Sequence, residues 1–191
     1  LGRRPASLSK VAQAAAAAKH SSTTALLHRV LPESIATRMI AGENDISDYF
    51  SSVTILFADI VGFTPISAGM PAHVVVRFLN YVFGIFDTIM KKHGCEKIKT
   101  IGDAYMVVSG APEPRADHAH VIANLALALL EEIQLVRQET GIALDMRIGV
   151  HTGSVIAGVI GAVRFSYDIW GDTVNTASRM ESHGLAGRIQ I

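Results

Sequence analysis

The chain has 191 residues, 49% of them hydrophobic and 18% charged, with seventeen basic residues against seventeen acidic ones. That length allows one domain with a sizeable core, and so apolar a composition excludes a disordered chain. Zero formal net charge excludes a global field favouring nucleic acid or an anionic membrane, so a phosphate ligand has to be held locally.

Residues 1–25 are rich in alanine, serine and lysine, with Ala14 to Ala18 in one run, and carry no core-forming pattern; they read as a linker or tag-like segment. From Leu26 the pattern tightens. Leu26, Leu27, Val30, Leu31, then Pro32, then Ile35, Met39 and Ile40 are spaced as a short amphipathic helix interrupted by the proline. This 26–48 segment either couples an upstream module to the domain or packs on the domain edge, and the domain proper is expected over 49–191. Because the chain starts at Leu1 and not at Met, it is expected to be a piece of a longer protein with an upstream regulatory or membrane module. No apolar run looks long enough to span a bilayer and no signal-peptide pattern opens the chain. A single cysteine, Cys95, excludes an internal disulfide and a cysteine-based zinc site, which suits a reducing compartment. A cytoplasmic location is expected.

A strand is expected over 52–59, where the β-branched and aromatic run Val53 to Ala58 ends at Asp59; Gly62 and Thr64-Pro65 then break it and open a helix. The turn from Ile60 to Thr64 would aim backbone N–H groups outward beside a helix start, an anion cradle that needs no basic side chain. A helix follows over 71–92, with an apolar stripe from His73 to Met90. Strands over 96–101 and 104–109 are joined by Gly102-Asp103, a tight hairpin signal that puts Asp103 at the tip. Taken singly, Asp59 reads as a helix cap and Asp103 as a turn residue. As a pair, each emerging from an apolar run, they need a compensating charge, and a shared divalent metal site points to phosphoryl chemistry.

A helix over 117–137 and a strand over 144–151 complete a β-α-β-β-α-β order, the ferredoxin-like α+β plan of an antiparallel sheet with helices on one face. Ser154 to Gly161, Arg164 to Trp170, a helix over 172–182 and a last strand near Arg188 extend that plan. His118 and His120 follow Asp117 at the helix start. Two residues apart, they do not face the same way and read as solvated first-turn residues.

The segments FADIVGFT, KIKTIGDAYMVVSG, MRIGVHTGSVIAGVIG and YDIWGDTVNTASRMES, starting at Phe57, Lys97, Met146 and Tyr167, resemble the catalytic core of the class III nucleotidyl cyclases. The resemblance covers residues 26–191. It implies the class III cyclase fold and a homodimer in which ATP or GTP lies across the interface. The 3′-hydroxyl attacks the α-phosphate in line, giving the cyclic 3′,5′-monophosphate and pyrophosphate. It further implies that Asp59, Asp103 and the carbonyl of Ile60 hold two Mg²⁺ or Mn²⁺ ions, typically about 3.5–4 Å apart. Gly62, Phe63 and Thr64 match the phosphate cradle, and Arg147 an arginine near the phosphates. Asn175 and Arg179 match the pair that orients the ribose and stabilises the transition state, and Lys99 and Asp168, with Ile169 and Trp170 beside the latter, match the purine site. In the family the aspartates and the purine-reading, ribose and transition-state residues of one site come from different subunits. A further phosphate-binding lysine of the family lies beyond Ile191, so the catalytic domain is expected to be C-terminally incomplete here.

Base choice follows from hydrogen bonding. Adenine offers an acceptor at N1 and a donor at its amino group, guanine the reverse at N1 and O6. Lysine only donates and ionised aspartate only accepts, so Lys99 and Asp168 fit ATP, whereas guanylate-specific relatives tend to carry glutamate and cysteine there. A polar site of this kind discriminates on the order of 10⁴. The alternatives are a guanylate cyclase or a nucleotide-binding dimerisation module without turnover, although the latter typically loses the metal and transition-state residues kept here. A ferredoxin-like RNA-binding module would need strand aromatics and a basic surface, against 6% aromatics and no net charge.

Overall fold

The computed structural model describes residue 24, residues 26–161 and residues 164–191. The linker expected over residues 1–25 lies, residue 24 apart, outside them. In chain order the elements are α1 (Glu33–Ile40), β1 (Ser47–Val61), α2 (Phe63–Ser67), α3 (Ala72–Lys92), β2 (Glu96–Ile101), β3 (Ala104–Ser109), α4 (His118–Thr140), β4 (Asp145–Ile160), β5 (Ser166–Trp170), α5 (Asp172–Ser182) and β6 (Arg188–Gln190). Residues 26–30 are also helical, and the break expected at Pro32 separates them from α1.

The six-stranded sheet runs β2-β3-β1-β4-β5, with antiparallel neighbours along that path. β6 pairs parallel with β4, opposing Arg147 to Arg188 and Gly149 to Gln190. Strand and helix order therefore give the α+β plan read from the sequence. β1 explains its own unbroken apolar run. Alternation sends Leu56, Ala58 and Ile60 to the face covered by α3 and α4, where Val82, Phe86, Ile122, Leu125, Leu129 and Ile133 meet them. It sends Val53, Ile55 and Phe57 to the opposite face, among Ile35 of α1, Met106 of β3, Ile169 of β5 and Ala177 of α5. Both faces are buried, so apolar and polar residues do not alternate along the strand.

Three expectations need correction. The strand expected over 144–151 continues without interruption to Ile160, sixteen residues in all, so Ser154 to Gly161 is not a separate addition; glycines along it are points of close approach. A Cβ on Gly158 would lie 2.4 Å from the carbonyl oxygen of Ile46, which belongs to the segment leading into β1. Second, α3 and α4 are each long and apolar enough, by length and composition, to cross a membrane; one side of each nevertheless packs into the core against the sheet. Third, His118 is buried, not solvated, while His120 is exposed as expected. The first turn of α4 lies against the middle of β1, where the His118 ring is hydrogen-bonded through Nδ1 to Thr54 Oγ1 at 2.7 Å and through Nε2 to Ser52 Oγ at 3.1 Å.

Candidate functional site

Asp59 sits near the end of β1, opposite Ala104 of β3 on one side and Arg147 of β4 on the other. The β2–β3 hairpin turns on Gly102 and Asp103, with Gly102 at φ 63° and Ile101 facing Ala104. Asp103 thus precedes the residue that pairs with Asp59, which brings the two carboxyls into one neighbourhood. Their charges are coupled. Burial pushes the Asp103 carboxyl up from its usual range, its own backbone amide opposes the shift, and the Asp59 charge adds to it.

Arg147 answers that negative charge. Its Nη2 donates to Asp59 Oδ2 at 2.8 Å and lies 3.2 Å from Glu181 Oε1. The hydrogen bond to Asp59 raises the guanidinium pKa. Among the described residues no group of three or more His, Cys, Asp and Glu side chains gathers. A Mg²⁺ ion does not require one, since it is commonly held by one or two carboxylates together with water and substrate phosphate oxygens. Two adjacent hard oxygen donors already compensated by a cationic guanidinium fit that description. Ile60 is buried in the core, so any ligand it offers is its backbone carbonyl.

The turn after β1 takes the expected form, Gly62 adopting φ 76° ahead of the short helix α2. The first N–H groups of a helix have no intrahelical acceptor. The Phe63 side chain is buried and stacks on Phe78 at 5.9 Å, leaving only its backbone for a ligand.

Lys99 of β2 and Asp168 of β5 form a second cluster. Lys99 Nζ donates to Asp168 Oδ2 at 2.5 Å, and the N–H of Ile169 donates to Asp168 Oδ1 at 2.9 Å. The aspartate is the more enclosed partner, its side chain 13% exposed against 41% for the lysine. Ile169 is core, with its amide committed to Asp168, whereas Trp170 at the end of β5 stays exposed.

Asn175 and Arg179 are exposed on α5, four residues apart and so on one helical face. Glycines let that helix dock on the backbone of β4. A Cβ at Gly149 would come within 2.0 Å of the Glu181 nitrogen, and one at Gly153 within 2.6 Å of Thr173 Oγ1. The opposite stripe of α5, Thr173, Ala177 and Glu181, is buried. Sequence reading passed over Glu181, because only the docking of α5 on β4 buries it. Among the described residues, no side-chain hydrogen bond or ion pair joins the Asp59, Asp103 and Arg147 cluster to Lys99 and Asp168 or to Asn175 and Arg179.

The family model described as the adenylate and guanylate cyclase catalytic domain matches residues 46–191. An adenylate cyclase of Mycobacterium tuberculosis is 45% identical over 181 residues, covering 94% of this chain and 41% of that protein. A receptor-type guanylate cyclase of Caenorhabditis elegans, gcy-28, is 46% identical over 168 residues, covering 87% of this chain and 13% of that protein. The chain therefore spans well under half the length of these relatives. Among solved structures, the catalytic core of a rhodopsin-guanylyl cyclase with converted specificity, in complex with ATPαS, superposes with a TM-score of 0.72 at 45% identity, covering 75% of this chain and 78% of that one.

Proposed function

We propose, because this chain belongs to the adenylate and guanylate cyclase catalytic-domain family, that it is the catalytic domain of an adenylate cyclase, converting ATP to 3′,5′-cyclic AMP and pyrophosphate. Overall similarity does not choose the base, since relatives named for adenylate and for guanylate match at 45% and 46%. The observation that carries the choice is the pairing of Lys99 Nζ with Asp168 Oδ2. One donor-only and one acceptor-only group stand side by side, the set that reads adenine N1 and the 6-amino group and mismatches guanine at both.

In this reading Asp59, Asp103 and the Ile60 carbonyl hold two Mg²⁺ or Mn²⁺ ions. Bound there, the ions supply Lewis-acid chemistry that eases deprotonation of the 3′-hydroxyl and offsets charge on the α-phosphate and leaving pyrophosphate. The Gly62, Phe63 and Thr64 amides and Arg147 hold the triphosphate. Asn175 orients the ribose for in-line attack, and Arg179 donates to the oxygens that gain charge in the transition state. Lys99 and Asp168 fix the purine beside the exposed Trp170.

A second copy of the chain completes the site, the two aspartates facing Lys99, Asp168, Asn175 and Arg179 of the partner. Two observations support this: among the described residues no side-chain hydrogen bond or ion pair joins the clusters within one chain, and Tyr49, Ile156 and Trp170 lie opposite one another across β1, β4 and β5 as a row of exposed apolar side chains. In the parent protein the domain faces the cytoplasm, below an upstream regulatory or membrane module that residues 26–48 couple to it. Production of cyclic AMP and cyclic GMP from ATP and GTP with Mg²⁺ or Mn²⁺ by the parent protein's full catalytic domain tests the assignment. Cyclic GMP as the main product overturns the base reading, and neither product overturns the catalytic one.

A further inference from the structure

Glu181 is only 8% exposed, on a helix pressed against the backbone of β4. A carboxylate in that position is costly unless a cation compensates it. The cation at hand is Arg147, but the pairing is incomplete. Although Arg147 Nη2 lies 3.2 Å from Glu181 Oε1, that oxygen has no hydrogen-bond partner among the described residues, and neither has the buried Nε of Arg147. The short hydrogen bond goes instead from Nη2 to Asp59, at 2.8 Å, while Nη1 donates to the Ser182 carbonyl oxygen at 3.5 Å. One guanidinium thus serves two carboxylates, bonded to the first and merely adjacent to the second.

The two orphaned atoms are complementary, a donor and an acceptor on neighbouring residues. A rotation of the guanidinium that brings Nε–H and Nη2–H together onto Glu181 would satisfy both in a bidentate fork, the geometry that arginine and carboxylate favour. In the free chain Asp59 opposes this, since without Arg147 its charge would stand uncompensated beside Asp103. A divalent cation on Asp59 removes that claim and repels the guanidinium.

We propose that Glu181 is a positioning residue that takes Arg147 from Asp59 when metal binds and holds it with Nη1 turned to the triphosphate. The inference rests on the metal reading above and concerns what this chain's residues do to admit the ion. Without Glu181, the second partner left to Arg147 is the uncharged carbonyl oxygen of Ser182, 3.5 Å from Nη1, and the guanidinium stays on Asp59 as a competitor of the metal.

The test is binding of Mn²⁺ alone, followed by the loss of the free-ion EPR signal, with thermal unfolding measured in parallel. Glu181→Ala should weaken Mn²⁺ binding by about 10–100-fold, the usual effect of losing a partner behind a ligand. Glu181→Gln, which keeps an acceptor without the charge, should fall between Ala and wild type. In an Arg147→Ala background neither substitution should change the affinity more than about twofold, since no guanidinium remains to be moved. An effect of Glu181→Ala that persists in that background would mean direct attraction of the cation and overturns the proposal. A lower Tm with unchanged Mn²⁺ affinity would mean a packing role and overturns it too. If Glu181→Ala does not fold, Glu181→Gln carries the same comparison in both backgrounds. Should wild type take up no Mn²⁺, or Asp59→Ala bind it as well as wild type, the metal reading fails first and this proposal with it.

Discussion

Lys99 Nζ lies 2.5 Å from Asp168 Oδ2, although 69 residues separate them and their strands stand at the two ends of the path β2-β3-β1-β4-β5. The sheet must curl for them to meet. Irregularities in register between Phe50 and Val53 of β1 and between Lys97 and Lys99 of β2 mark places where it departs from a regular ladder.

Partly exposed ion pairs contribute at most about 1 kcal/mol to stability, so exchanging this one should change specificity and leave the fold in place. Lys99→Glu with Asp168→Cys should lower the ATP-to-GTP ratio of kcat/KM by roughly 10²–10⁴, the range that polar readout supports. Steady-state kinetics on both nucleotides measure it. A ratio equal to that of the unaltered protein refutes the purine assignment.

Subunit mixing tests the composite site. Asp59→Ala and Arg179→Ala should each be inactive alone, down by at least about 10²-fold, the scale of losing one preorganised electrostatic group, with Tm little changed. In the parent protein's full catalytic domain, mixed chains should recover up to about a quarter of the wild-type rate. Random assortment makes half the dimers mixed, and each carries one intact site of two. Continued inactivity, with subunit exchange shown by tag pull-down, refutes a site shared between chains.

Glu96, at the start of β2, has a carboxyl that burial pushes up to about 6 from the ordinary 4.5, with the Lys91 charge opposing the shift. Between those values the folded chain binds more protons than the unfolded one, so stability falls as pH rises from about 4.5 to about 6 and stays lowered above. Glu96→Gln should remove this dependence and stabilise the protein at pH 7, by up to about 2 kcal/mol before allowance for partial exposure. Urea unfolding at pH 4.5 and pH 7 checks the sign, and a variant no more stable than wild type at pH 7 refutes it.

At Gly149 an added methyl would meet backbone, 2.0 Å from the Glu181 nitrogen, so a side-chain rotation cannot relieve it. Gly149→Ala should therefore lift α5 from β4 and destabilise the domain by about 1–3 kcal/mol, as overpacking does. Activity should drop further than stability requires, because Asn175 and Arg179 move with the helix. A Tm and a kcat both equal to wild type would show that α5 has room the structure does not display.

The sequence by itself determined the order of strands and helices, the hairpin at Gly102 and Asp103 and the family, because these follow from local apolar periods, turn residues and contiguous motifs. It understated β4, stopping the strand at His151 short of Gly153 and Gly158; in three dimensions these two and Gly149 are where α5 and the segment before β1 press against the strand. It misplaced His118 because first-turn position says nothing about what lies across from the turn, here Ser52 and Thr54 of β1. The family likeness singled out Asp59 and Arg147 separately, and only the register of β1 on β4 put them face to face. Glu181 needed the docked helix as well. Each of these relationships joins residues distant in the chain, and an ion pair depends on separation in space and on burial, which strand register and helix docking decide together.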